Sequence, residues 1–156
     1  MYHMKEARLR QPTDPDYIQA LGRAAYCFAI CEWNAVYCAE RIRPGSLKGF
    51  LAEKCTAGTI AKKLVDLTRN MPKSVDRASL SARASLSAAA RTFEDLVPIR
   101  NGILHGKPCT GANGKARLSG PMVLEISDLE SAADDFSACS IELNRLFHGF
   151  LSTYAP

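Results

Sequence analysis

The sequence predicts an all-α protein, an up-and-down bundle of four to five helices with a long Gly/Pro-rich loop or small hairpin before the last helix. Three observations carry that expectation. Apolar residues recur at steps of three and four along two long segments, residues 21–42 and 129–154. Helix-start signals stand before the periodic runs. The one region without that period, residues 107–127, is marked by glycines and prolines.

The first helix is announced by TDPD, with Thr13 or Asp14 as N-cap, Pro15 in the first turn and Asp16 against the positive end of the dipole. Leu21, Ala24, Phe28, Cys31, Ala35, Cys38 and Ile42 then form one core stripe. Tyr26, Ile30, Trp33 and Tyr37 form a second stripe, so the helix is either central in the fold or turns its aromatic side to another subunit. RPGS at residues 43–46 ends it. Residues 47–70 read as helix with a break near Gly58, where Thr56 or Thr59 recaps a second piece. The near-repeat RASLSARASLS has a period of six, which matches neither a helical nor a strand face. A third long helix runs through SAAARTFEDLVPIRNGILHG, with Gly106 suited to a left-handed closing residue. ARLS and MVLEIS suggest loop or hairpin, and S-D-L-E from Ser127 to Glu130 reads as the capping box of the last helix.

At 156 residues the chain reads as one domain, 1–156, with 1–13 as a polar, flexible tail that carries His3. The apolar run AAYCFAICEWNAVYCA is broken by Glu32 and Asn34 and is too short to span a bilayer; the first residues lack the apolar core of a signal peptide. Six cysteines form no C-x-x-C pair, and Cys27, Cys31 and Cys38 fall within ~40° on one helical face, the pattern of small core residues. A reduced, cytoplasmic protein without a metal or cofactor is expected. A formal charge of +4 is compatible with nucleic-acid binding and does not require it.

The most informative stretch is LVPIRNGILHGKP. On a helix Asn101 and His105 are neighbours at i and i+4, while Arg100 and His105 point ~140° apart. His105 falls in the last turn, where the negative end of the dipole attracts a cation. Histidine can act as acid or base, and arginine offers a permanent fork for phosphate. Between residues 96 and 124 there is no Asp or Glu, but there are Arg100, Lys107, Lys115 and Arg117. That balance suits a phosphodiester partner better than a carboxylate-held metal. The plain alternatives are a helix-terminal capping pair for Arg100 and His105 and a solvated loop for the other three cations.

The run Arg100-Asn101-Gly102-Ile103-Leu104-His105, R-N-x-x-x-H at the end of a bundle helix, resembles the signature of the HEPN superfamily. The resemblance is specific over six residues and extends faintly, in layout, over residues 15–155. It implies a metal-independent endoribonuclease of toxin, phage-defence or CRISPR-linked type. Arg100 would steady the scissile phosphate, His105 would move a proton and Asn101 would orient the pair; Lys107, Lys115 and Arg117 are expected to contact RNA from the local charge balance alone. The resemblance further implies a homodimer in which two motifs form one composite site, and a cognate antitoxin or regulatory protein as a further class of partner. Many members only bind, so the alternative it implies is a non-catalytic module for a nucleotide, RNA or partner protein. Some toxins of the superfamily carry a modified tyrosine two positions after the histidine; Lys107 stands there, so that system is not expected.

Overall fold

Five α-helices and a three-stranded sheet make up the described residues of the chain. The structure, a computed structural model, describes residue 11 and residues 14–73 and 76–156. The expectations for the tail, His3 and a Thr13 cap lie outside these residues. The helices are α1 (Pro15–Ile42), α2 (Ser46–Ala52), α3 (Ala57–Arg69), α4 (Arg77–Leu104) and α5 (Ile126–His148), followed by a 3-10 turn at Phe150–Ser152. The protein is mostly helical, yet not all-α. The region expected as a loop or hairpin folds as an antiparallel meander of β1 (Lys107–Thr110), β2 (Ala116–Ser119) and β3 (Val123–Leu124), with β2 central.

The α1 stripe buries as its period requires: Ala24, Cys31, Ala35 and Cys38 are fully buried, Phe28 and Ile42 nearly so, and only Leu21 stays half-exposed. Phe28 sits at the centre. Its ring stacks on Phe93 of α4 at 5.9 Å and meets Phe136 of α5 edge-on at 5.1 Å, so one side chain joins three helices. Along the rest of the α1–α5 seam, Asn34 donates to the Ser140 hydroxyl at 2.8 Å, and the Cys38 thiol donates to the Leu143 carbonyl. Arg41 donates to the carbonyls of Leu151 and Ser152, fastening the 3-10 turn to α1. Burial pushes the Cys38 thiol up to about 12, as fits an inert core residue. The second α1 stripe faces outward instead: Tyr26 is 68% exposed and Ile30, Trp33 and Tyr37 are 43–44% exposed.

Gly45, at φ +94, makes the turn after α1. The break in the next region comes at residues 53–56, ahead of Gly58. Thr56 caps α3 by accepting from the Thr59 N–H, and Gly58 lies within the first turn. α4 includes the near-repeat and runs through Pro98 without a break. α5 starts two residues earlier than S-D-L-E predicts. Glu125 is its N-cap, and its box partner is Asp128, whose carboxylate accepts from the Glu125 N–H at 2.8 Å. No described helix is long and apolar enough to cross a membrane.

Phe28→Ala should cost about 3–5 kcal/mol, the usual range for emptying a large aromatic site in a core. Urea unfolding checks it, and a loss under about 1 kcal/mol would show that α1, α4 and α5 do not meet around this ring.

Candidate functional site

The last turns of α4 carry the polar motif. Arg100 lies on the inward side of the helix, below Leu96 and Val97, so its side chain starts among apolar neighbours and is only partly exposed. Its guanidinium carbon lies 5.4 Å from the centre of the Phe28 ring. Nη1 donates to the Asn101 Oδ1 at 2.9 Å. Nε is buried and has no hydrogen-bond partner among the described residues. A buried, unbonded donor on a permanent cation is an exception to the usual pairing of buried polar groups. Glu32, half-buried one turn after Phe28, feels the same guanidinium: burial raises its carboxyl above the usual carboxylate range, and the charge of Arg100 partly offsets this. Sequence reasoning missed Glu32 and Phe28 as neighbours of Arg100. The signal was the carboxylate that interrupts an otherwise apolar run.

His105 closes α4 as its C-cap, its N–H donating to the Asn101 carbonyl at 2.9 Å. Its side chain and that of Asn101 are exposed. Gly106 does not take a left-handed conformation. It is needed for closeness, since a Cβ there would meet the Leu118 Cβ at 2.9 Å. Gly120 does the same a turn further back along α4, where a Cβ would meet the backbone of Gly102 at 3.3 Å. The β2–β3 turn is thereby seated on Gly102, inside the motif.

The three expected substrate cations have different fates. Lys107 opens β1 two residues after His105 and is exposed. Lys115 stands at the opposite end of the hairpin, with Nζ 3.5 Å from the Asp14 carboxylate. Arg117 does not fit a solvated, substrate-contacting role. Its side chain is 3% exposed, with Nη1 3.1 Å from Asp14, Nε 2.8 Å from Glu125, and its guanidinium 4.7 Å from the centre of the Tyr17 ring. Both carboxylates and the aromatic face belong to its own chain, so its charge is neutralised where it lies. The structure thus groups Arg100, Asn101, His105 and Lys107 at one end of α4 and sets Lys115 and Arg117 apart. Two cavities, about 490 Å³ beside Phe50 and Lys63 and about 580 Å³ between α4 and α5, are lined by none of the three motif residues.

Comparison with protein-family models, with curated proteins and with solved structures returns no match.

The Arg117 ion pairs set a pH dependence. Burial raises the Asp14 carboxyl, but the Arg117 hydrogen bond and the charges of Lys115 and Arg117 outweigh it, holding it below the ordinary 3.8. A depressed carboxylate contributes stability above its unfolded value and loses it as pH falls through the folded one. Asp14→Asn should therefore lower the melting temperature most at neutral pH, with the gap to wild type closing as pH drops below 3.8. A gap independent of pH would refute the pairing.

Proposed function

We propose that this chain is a metal-independent endoribonuclease of toxin or defence type that acts as a homodimer. The carrying observation is the Arg100–Asn101 couple at 2.9 Å, with a buried unbonded Nε and an exposed His105 one turn beyond it. In this reading Arg100, aligned by Asn101, binds the non-bridging oxygens of the scissile phosphate. One His105 accepts the proton of the RNA 2′-hydroxyl, whose oxygen attacks the adjacent phosphorus. The P–O5′ bond breaks as the 2′-O–P bond forms, leaving a 2′,3′-cyclic phosphate. The departing 5′ oxygen takes a proton from the His105 of the partner subunit. The ~140° between Arg100 and His105 on one helix is the reason a second chain belongs in the site. Lys107 extends the positive surface along the RNA backbone, while Arg117 stays out of the chemistry. The resemblance of R-N-x-x-x-H to the HEPN signature supports the same assignment.

RNA should be cut in EDTA, leaving cyclic-phosphate ends. His105→Ala should lower the rate by roughly 10²–10⁴, with helical circular dichroism unchanged. Arg100→Ala should lose cleavage as well, and Lys107→Ala should weaken RNA binding and reduce its salt slope by about one. If the wild-type protein binds a broad RNA panel and leaves it uncut, the non-catalytic binding module replaces this reading.

A further inference from the structure

We infer that Cys31 and Cys139 are an oxidation site, a thiol pair that a peroxide entering the cavity between α4 and α5 converts into a disulfide joining α1 to α5. The two helices run parallel along their seam, since Phe28 meets Phe136, Asn34 meets Ser140 and Cys38 meets Leu143 in ascending order. Cys31 lies three residues after Phe28 and Cys139 three residues after Phe136, so the register brings the two thiols to the same level, and both are buried. The Cys31 thiol donates to the Cys139 sulfur, and this bond and burial push Cys31 up. The same hydrogen bond holds the Cys139 thiol below its ordinary value, against burial and the charge of Glu142. Cys139 is therefore the nucleophile of the pair, and Cys31 keeps its proton. Cys38 takes no part, since its own thiol donates to the Leu143 carbonyl.

Cys139 also has an approach that Cys31 lacks. It lines the cavity of about 580 Å³, whose walls are mainly small side chains, Ala88, Thr92 and Ala138 among them. A peroxide molecule, scarcely larger than a water, fits there easily. The Cys139 thiolate attacks one oxygen of hydrogen peroxide, the O–O bond breaks, and Cys139 becomes a sulfenic acid. The departing hydroxide takes up the proton that Cys139 had lost. The Cys31 sulfur then attacks the Cys139 sulfur, the S–O bond breaks, and the Cys31 proton leaves with the hydroxyl as water. Two thiols lose two electrons in all, and one peroxide becomes two waters. Oxidation also ends the bond from the Cys139 thiol to the Ala89 carbonyl. α5 is then stapled to α1 and has one tie fewer to α4, the helix that carries Arg100.

The inference goes beyond the nuclease reading and does not rest on it, so it is tested without RNA. The reduced chain, treated with hydrogen peroxide while folded, should give a non-reduced digest in which mass spectrometry finds Cys31 linked to Cys139. Helical circular dichroism should persist, and the melting temperature should rise by roughly 10 °C, because the link closes a loop of about 100 residues. Cys31→Ala should stop the reaction at one added oxygen on Cys139. Ala88→Trp, which roofs the cavity, should slow disulfide formation several-fold with the fold kept. The wild-type digest decides even where a cysteine variant fails to fold. No disulfide in the folded chain, a Cys139 link to Cys38 in place of Cys31, or a link that forms only after urea unfolding overturns the inference. So does a folded Ala88→Trp chain that oxidises at the wild-type rate.

Discussion

The position of Phe28 is the constraint on which the rest of the molecule depends. One ring fills the space where α1, α4 and α5 approach, touching Phe93 on one helix and Phe136 on another. Close packing in such a place leaves little freedom in how the helices cross. The ring also lies beneath the guanidinium of Arg100, so the core and the candidate site share a side chain. What fixes the bundle therefore also fixes where a permanent cation comes out at the end of α4. A guanidinium held over an aromatic face, with Glu32 to one side and Asn101 to the other, keeps few of the rotamers available to a free arginine.

The small sheet is held to the bundle in two different ways. Gly106 and Gly120 remove side chains so that β2 and the β2–β3 turn can lie directly on the end of α4. Arg117 supplies the other fastening, a buried cation between the N-cap of α1 and the N-cap of α5. Asp14 illustrates the compromise. It starts α1 with its carboxylate turned mainly toward Arg117 and Lys115, and the Tyr17 N–H of the first turn acts on it only weakly. Glu125 manages both tasks, accepting from a first-turn N–H of α5 and from Arg117.

The helices were legible in the sequence because burial has a period. Ala24, Phe28, Cys31, Ala35, Cys38 and Ile42, and likewise Leu129, Ala132, Phe136, Cys139 and Leu143, are buried as their spacing requires. A threonine cap for α3 was legible too, with Thr56 and Thr59 as alternatives, and the structure selects Thr56. The sheet was legible only in part: ARLS and MVLEIS pointed to a loop or small hairpin, and β2 is ARLS, but strands of four, four and two residues are too short to display the alternation that separates the two. Two overlapping capping signatures compete near residue 125, and Glu125 prevails where Arg117 draws it into place. In the candidate site, the i, i+4 relation of Asn101 and His105 came from helix geometry, whereas the role of Arg117 hung on Asp14, 103 residues away. Glu32 was visible as an oddity, yet nothing local connected it to Arg100. Pairings across the fold leave no periodic trace.

The seam between α1 and α5 joins the beginning of the described chain to its end. Its polar fastenings span sequence separations of 105, 106 and 110 residues. Contacts so distant require most of the chain before they can form, and closing such a loop is a late step in folding. During synthesis α1 therefore leaves the ribosome with both of its apolar stripes uncovered, and one of them stays so until α5 has followed. Units that precede α5 in the chain, α3 against α4 and the β1–β2 hairpin among them, can settle earlier. The core stripe of α1, Phe28 included, thus waits longest for its full cover, on the helix that organises the finished core.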